Sequence, residues 1–110
     1  MNTQQKYISS YHEAWDWISQ NSGTGSANGL AKLVLSLWNQ EHSYSYRECI
    51  TSMDEVRIEI ALRMILEFSK TGENLQLREI GHKVYKSYPY LAELTEAMIE
   101  TRRSFEKGNN

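Results

Sequence analysis

Three small groups of side chains have the types and spacing from which catalytic or metal chemistry is built. His12 and Asp16 stand one helical turn apart with Glu13 beside them, so an imidazole and a carboxylate share one helix face. Zinc needs three or four converging ligands, and no second pair with metal-binding spacing accompanies these residues. A solvated helix face is therefore the expectation, and no metal is assigned. Glu55 and Glu59 are also one turn apart, as an acid and base pair would be, but Glu59 precedes Arg63 by four residues, the usual arrangement of a helix-surface ion pair. Cys49 would serve as a nucleophile only with a lowered thiol pKa and a base such as His42 or His82 at hand. It falls instead on an apolar stripe, where a thiol packs as a small hydrophobe. No catalytic residue and no cofactor is assigned, and the chain is not expected to be an enzyme.

Chemistry of recognition is better represented. Arg78, His82, Lys83 and Lys86 project from a segment that follows a long helix across the turn Thr71 to Asn74, the order of a helix-turn-helix that reads bases from its second helix. Glu79 places a negative charge among them, and the formal net charge of −2 lacks the basic footprint of a small nucleic-acid-binding domain. Nucleic acid is thus the alternative partner. Tyr85, Tyr88 and Tyr90 surround Pro89, and Trp17 lies well outside the apolar stripe of its own segment. Aromatic rings at a rigid proline corner bury much area at little entropic cost, so Trp17, Tyr85, Tyr88 and Tyr90 are the expected interface for a protein partner or a second copy. The run Asn21 to Gly29 is rich in glycine and small polar residues. It reads as a connector, since its spacing matches neither the Walker pattern nor a dinucleotide fingerprint.

These residues must be carried by a chain of 110 residues, 40% hydrophobic, with one proline and one cysteine. That is the size of one domain able to bury a core without metal or disulfide staples. Apolar periodicity predicts helices from about Thr3 to Gln20, from Leu30 to Trp38, a short one carrying Tyr46, Cys49, Ile50 and Met53, then about Asp54 to Lys70, Leu75 to Ser87, and from Pro89 onward. Ser45 with Glu48 and Ser52 with Glu55 have capping-box spacing, and Gly72 marks a stop. The expected fold is all-α: five to six helices in one domain, residues 1–110, around a buried central helix at about 54–70, with a fraying tail at 107–110. Gly81 lies on the packed side of its helix, which suits a close helix approach.

From Thr24 to Phe68 the chain resembles an uncharacterised family of small bacterial proteins often carried on mobile elements. Gly25, Ala31, Leu35, Leu37, Trp38 and Asn39 carry the likeness, followed by Tyr44, Tyr46, Met53 and Asp54. The resemblance implies a genomic context and no activity. Residues 1–20 lack a cationic start followed by an apolar run, so no secretory leader is expected. The apolar stretch 56–68 is broken by Arg57, Glu59, Arg63 and Glu67, which opposes a membrane span. With one cysteine that cannot form an internal bridge, a reducing, cytoplasmic setting is expected.

Overall fold

Five helices of the computed structural model begin at a short polar side chain that takes up a free backbone N–H. Ser9, Thr24, Ser45, Asp54 and Asn74 are each extended in backbone, and each side chain accepts from the amide three residues on. The helices they open are α1 (Ser10–Gln20), α2 (Gly25–Trp38), α3 (Tyr46–Ile50), α4 (Glu55–Thr71) and α5 (Leu75–Ser87). Pro89, whose missing N–H costs nothing in a first turn, opens α6 (Pro89–Gly108). The structure describes residues 9–42 and 44–108, which are all helix and connector with no strand. The expected all-α fold of five to six helices is what these residues form.

Three boundaries differ from the sequence expectation. Ser9 is a cap, so α1 starts later than Thr3; Thr3 and Tyr7 of the expected helix lie outside the described residues. α4 is capped by Asp54, which accepts from Arg57 N at 2.9 Å, and Ser52 caps nothing. The connector before α2 is only residues 21–24, because Gly25 to Gly29 already form the first turns of the helix. Those small residues serve packing. A Cβ at Gly29 would lie 2.1 Å from the carbonyl oxygen of Cys49, and one at Gly25 would lie 2.6 Å from Ser52 Cβ, so the α3 segment runs directly against the α2 backbone. Ser26 joins the two: its hydroxyl donates to Ser52 O at 3.4 Å and accepts from Asp54 N at 3.1 Å.

The centre of the fold is α2, and α4 is a flank. Ala27, Leu30, Ala31, Val34 and Leu35 of α2 are all fully buried, and α1, α3, α4 and α5 pack on that helix. α4 buries Ile60, Ala61 and Met64 but leaves Val56, Leu62 and Leu66 at 58%, 45% and 60% exposure. Charge distribution explains the exchange of roles. α2 carries one ionisable side chain, Lys32, whereas α4 carries Glu55, Arg57, Glu59, Arg63, Glu67 and Lys70, spread along its length, and must keep a face in water. α6 packs its first half against α5, with Leu91 and Thr95 fully buried, and residues 100–107 are all exposed. That overhang accounts for a radius of gyration of 14.9 Å, where a fully packed chain of this length would have about 13 Å.

Candidate functional site

The corner between α5 and α6 rests on an aromatic cluster. Gly81 offers no side chain, and the indole of Trp38 lies over it; a Cβ there would be 2.6 Å from Trp38 Cγ. Around that indole stand His82 at 4.9 Å, His42 at 5.5 Å and Tyr85 at 6.0 Å between ring centroids, and Tyr85 stacks on His42 at 5.8 Å. His42 is 4% exposed, its Nδ1 has no hydrogen-bond partner, and burial lowers its pKa against the opposing pull of Glu96 and Glu41. Tyr85 donates to Glu96 at 2.9 Å, tying α5 to α6 across the corner, and that bond raises its pKa. Tyr44, also buried, donates to Leu91 O at 3.3 Å; burial foremost pushes its pKa up to about 12.

Among the four residues expected at an interface, the structure separates one from three. Trp17 lies under the Arg57 guanidinium, 4.2 Å from ring centroid to Cζ, which is the second contact its off-stripe position required. Tyr85 is committed to the cluster. Tyr88 is half-buried beside Trp15 and Ile18, with its hydroxyl enclosed and its pKa raised by burial. Tyr90 is 63% exposed at the start of α6, beside Gly25, Asn28, Lys32 and Ser52, and further along the helix Leu94, Ala97, Met98, Thr101 and Phe105 form an outward face, the last 69% exposed. Leu94 and Met98 touch the core with one side and line this shallow groove with the other. The face was legible as the recurrence of Leu91, Leu94, Met98 and Phe105; its freedom from cover was not.

Arg78, His82 and Lys83 of α5 are engaged within the chain. Arg78 pairs with Glu73 at 3.2 Å, Lys83 with Glu79 at 3.7 Å, and His82 lies on Trp38 with its Nδ1 3.0 Å from Arg78 O; Lys86 is exposed. α4 and α5 follow one another through Gly72 and Asn74, but each packs mainly on α1 and α2, unlike the mutually packed pair of a helix-turn-helix.

The remaining chemistry-bearing residues are spent on structure. His12 holds Ser9 Oγ at 2.7 Å and lies 3.7 Å from Glu79, and Glu13 binds Arg63 at 2.7 Å. Arg63 thus reaches across to α1 and not along α4 to Glu59, as the spacing implied. Among the described residues, no three His, Cys, Asp or Glu side chains converge on a metal position. Cys49 is fully buried with Glu48 and Lys32 as its charged neighbours, and burial foremost pushes its thiol up to about 11, far from a reactive thiolate. At the start of α2, Thr24 takes up Ala27 N at 3.2 Å, and Lys32 is held by Glu48 at 2.9 Å. No described helix is long and apolar enough to cross a membrane. Comparison with family models, curated proteins and solved structures finds no match to this chain.

Proposed function

We propose that this chain is a protein-binding module of regulatory type, not an enzyme, and that it recognises its partner with the outward face of α6 and with Tyr90 at the start of that helix. One observation carries this: α6 leaves an apolar face of Leu94, Met98 and Phe105 uncovered, with Phe105 at 69% exposure and Tyr90, at the start of the same helix, at 63%. A large ring left in water with no structural task is a usual anchor at interfaces. Tyr85 and Tyr88 brace the corner, Trp17 packs under Arg57, and in this reading none of the three meets the partner. The free, buried thiol of Cys49 suits a reducing cytoplasm, and we keep the bacterial mobile-element context that residues 24–68 resemble as its setting.

The test is affinity capture from source-cell lysate with the full chain as bait, alongside Tyr90→Ser, Phe105→Glu and, as a surface control, Lys86→Glu. A specific protein retained by wild type and Lys86→Glu but lost in the two α6 variants, at unchanged melting temperature, supports the proposal. Equal capture by all four baits overturns it. So does sequence-selective DNA binding that disappears in Lys83→Glu, which would establish the nucleic-acid alternative instead.

A further inference from the structure

We infer that His42 is an acid-operated latch: when its imidazole takes up a proton, the α5–α6 corner opens and α6 leaves its seat while α1 to α5 stay folded. The imidazole is buried, with Trp38 edge-on at 5.5 Å and Tyr85 stacked at 5.8 Å, and among the described residues nothing meets its Nδ1. A neutral ring can lie between two aromatic faces with one nitrogen unmet. An imidazolium carries an N–H on both nitrogens, so in this seat it would bury a charge with one donor unanswered.

The charged groups that face the ring are also the ones that hold α6. From its own connector comes Glu41, which pairs with Arg103 of α6 at 3.7 Å; from α6 comes Glu96, which accepts from Tyr85 of α5 at 2.9 Å. Two residues beyond His42, Tyr44 donates to Leu91 O of α6 at 3.3 Å, so the imidazole sits among three polar ties of that helix. α5 presents Tyr85 and, across the indole of Trp38, the exposed His82, whose Nδ1 is 3.0 Å from Arg78 O; α2 presents the uncharged Trp38. Glu96 and Glu41 favour a charged His42, but both are engaged and burial outweighs them, so the closed corner keeps the ring neutral. Protonation therefore favours the state that brings water to the ring.

The wall that gives way is the α6 side. His42 N donates to Asn39 O at 2.8 Å and its carbonyl accepts from Ser36 Oγ at 3.0 Å, which pins the connector. Trp38 is wedged against Gly81, 2.6 Å from where a Cβ would stand. What remains is the half-buried Tyr85 and the helix to which Glu96 ties it. Among the described helices α6 packs substantially on α5 alone, so it parts at least cost. One proton sets the slope: from the ordinary value of 6.5 down to the lower folded value, the ratio of open to closed corner should rise by at most about tenfold per pH unit, and be flat on either side.

Hydrogen exchange read by nuclear magnetic resonance on the full chain, corrected for the intrinsic pH dependence of amide exchange, tests this. Amides 94–99, in the docked half of α6, should open more often than those of α2 at every pH and show that slope, and His42→Phe should abolish the slope. Tyr85→Phe, which keeps the ring and loses the Glu96 bond, should raise opening several-fold and keep the slope. The His42 ring resonance should titrate below 6.5. If His42→Phe does not fold, the titration and Tyr85→Phe decide. Titration of His42 at or above 6.5, unchanged opening in Tyr85→Phe, a slope that survives in His42→Phe or is lost in His82→Gln, or amides 94–99 that open only together with those of α2, each refutes the latch.

Discussion

Replacing Gly29 by alanine sets helix propensity against close packing, and the two predict opposite signs. In an exposed helix interior the change would stabilise by about 1 kcal/mol, because alanine loses less backbone freedom on folding. In α2 the new Cβ would lie 2.1 Å from Cys49 O and 3.1 Å from the Met53 methyl, and real Cβ contacts essentially never fall under 3.0 Å. The Met53 tip can swing aside. The Cys49 carbonyl is backbone, so relief requires α3 to retreat from α2 by about an ångström, which loosens the burial of Cys49 and pulls on the Ser26 bonds to Ser52 and Asp54. Overpacking of this kind costs typically 1–3 kcal/mol, and with a rigid backbone partner we place it at the top of that range or above, for a net loss of about 2–3 kcal/mol. At roughly 4–5 °C per kcal/mol for a domain of this size, the melting temperature should fall by about 10 °C. Thermal unfolding followed by far-ultraviolet circular dichroism reads this directly. Gly81→Ala is the comparison: there the clash is with the Trp38 ring at 2.6 Å, a side chain that can shift, so the loss should be smaller. A Gly29→Ala protein that melts at or above the wild-type temperature would refute the close contact of α2 with α3.

Three further outcomes follow from the burial pattern. Met64→Asp, at a fully buried position, should abolish folding, whereas Asp at the half-buried Ile65 should cost less and at the exposed Leu66 less than about 1 kcal/mol, all measured by urea unfolding. Because burial lowers the pKa of His42, the unfolded chain takes up its proton first on acidification. The stability it contributes is complete above its ordinary value of 6.5 and is lost as the pH falls from there through the folded value, so His42→Phe should flatten the decline in melting temperature below neutral pH. Cys49, held up to about 11 and enclosed, should resist alkylation at mildly alkaline pH in the folded protein and react fully in denaturant, as mass spectrometry will show.

Where local chemistry decides, residues announced their roles. Ser45 with Glu48, Gly72, Asn74 and Pro89 mark ends that the structure uses, because capping and proline geometry act within one turn. Gly81 read correctly as a close approach, being glycine on an otherwise apolar face. The same inference was open at Gly25 and Gly29, four apart and therefore on one side of a helix, but serine and asparagine between them resembled a connector. The choice of central helix went to α4 on its count of apolar residues; the deciding quantity was where charges leave a continuous dry surface, and α2 with Lys32 alone has more of it. The corner tyrosines are a different case. Composition shows that a ring is near a corner, but which of Tyr85, Tyr88 and Tyr90 turns outward depends on how α6 docks against α5, a long-range result. The face of α6 itself was visible as a periodicity, whereas its lack of cover could be seen only once the other helices had found their places.

The central position of α2 also governs how the molecule comes apart. Since α1, α3, α4 and α5 all rest on one helix, no one of them can depart without stripping that helix of part of its burial, and α1, which also packs on α4 and α5, ties those two into the same unit. Opening is therefore all-or-none for the five, and their most protected amides should exchange with solvent deuterium at one common free energy, that of global unfolding. The overhang of α6 belongs to a different class: the amides of residues 100–107 answer only to their own helical turns, and should exchange by fraying long before the hub lets go.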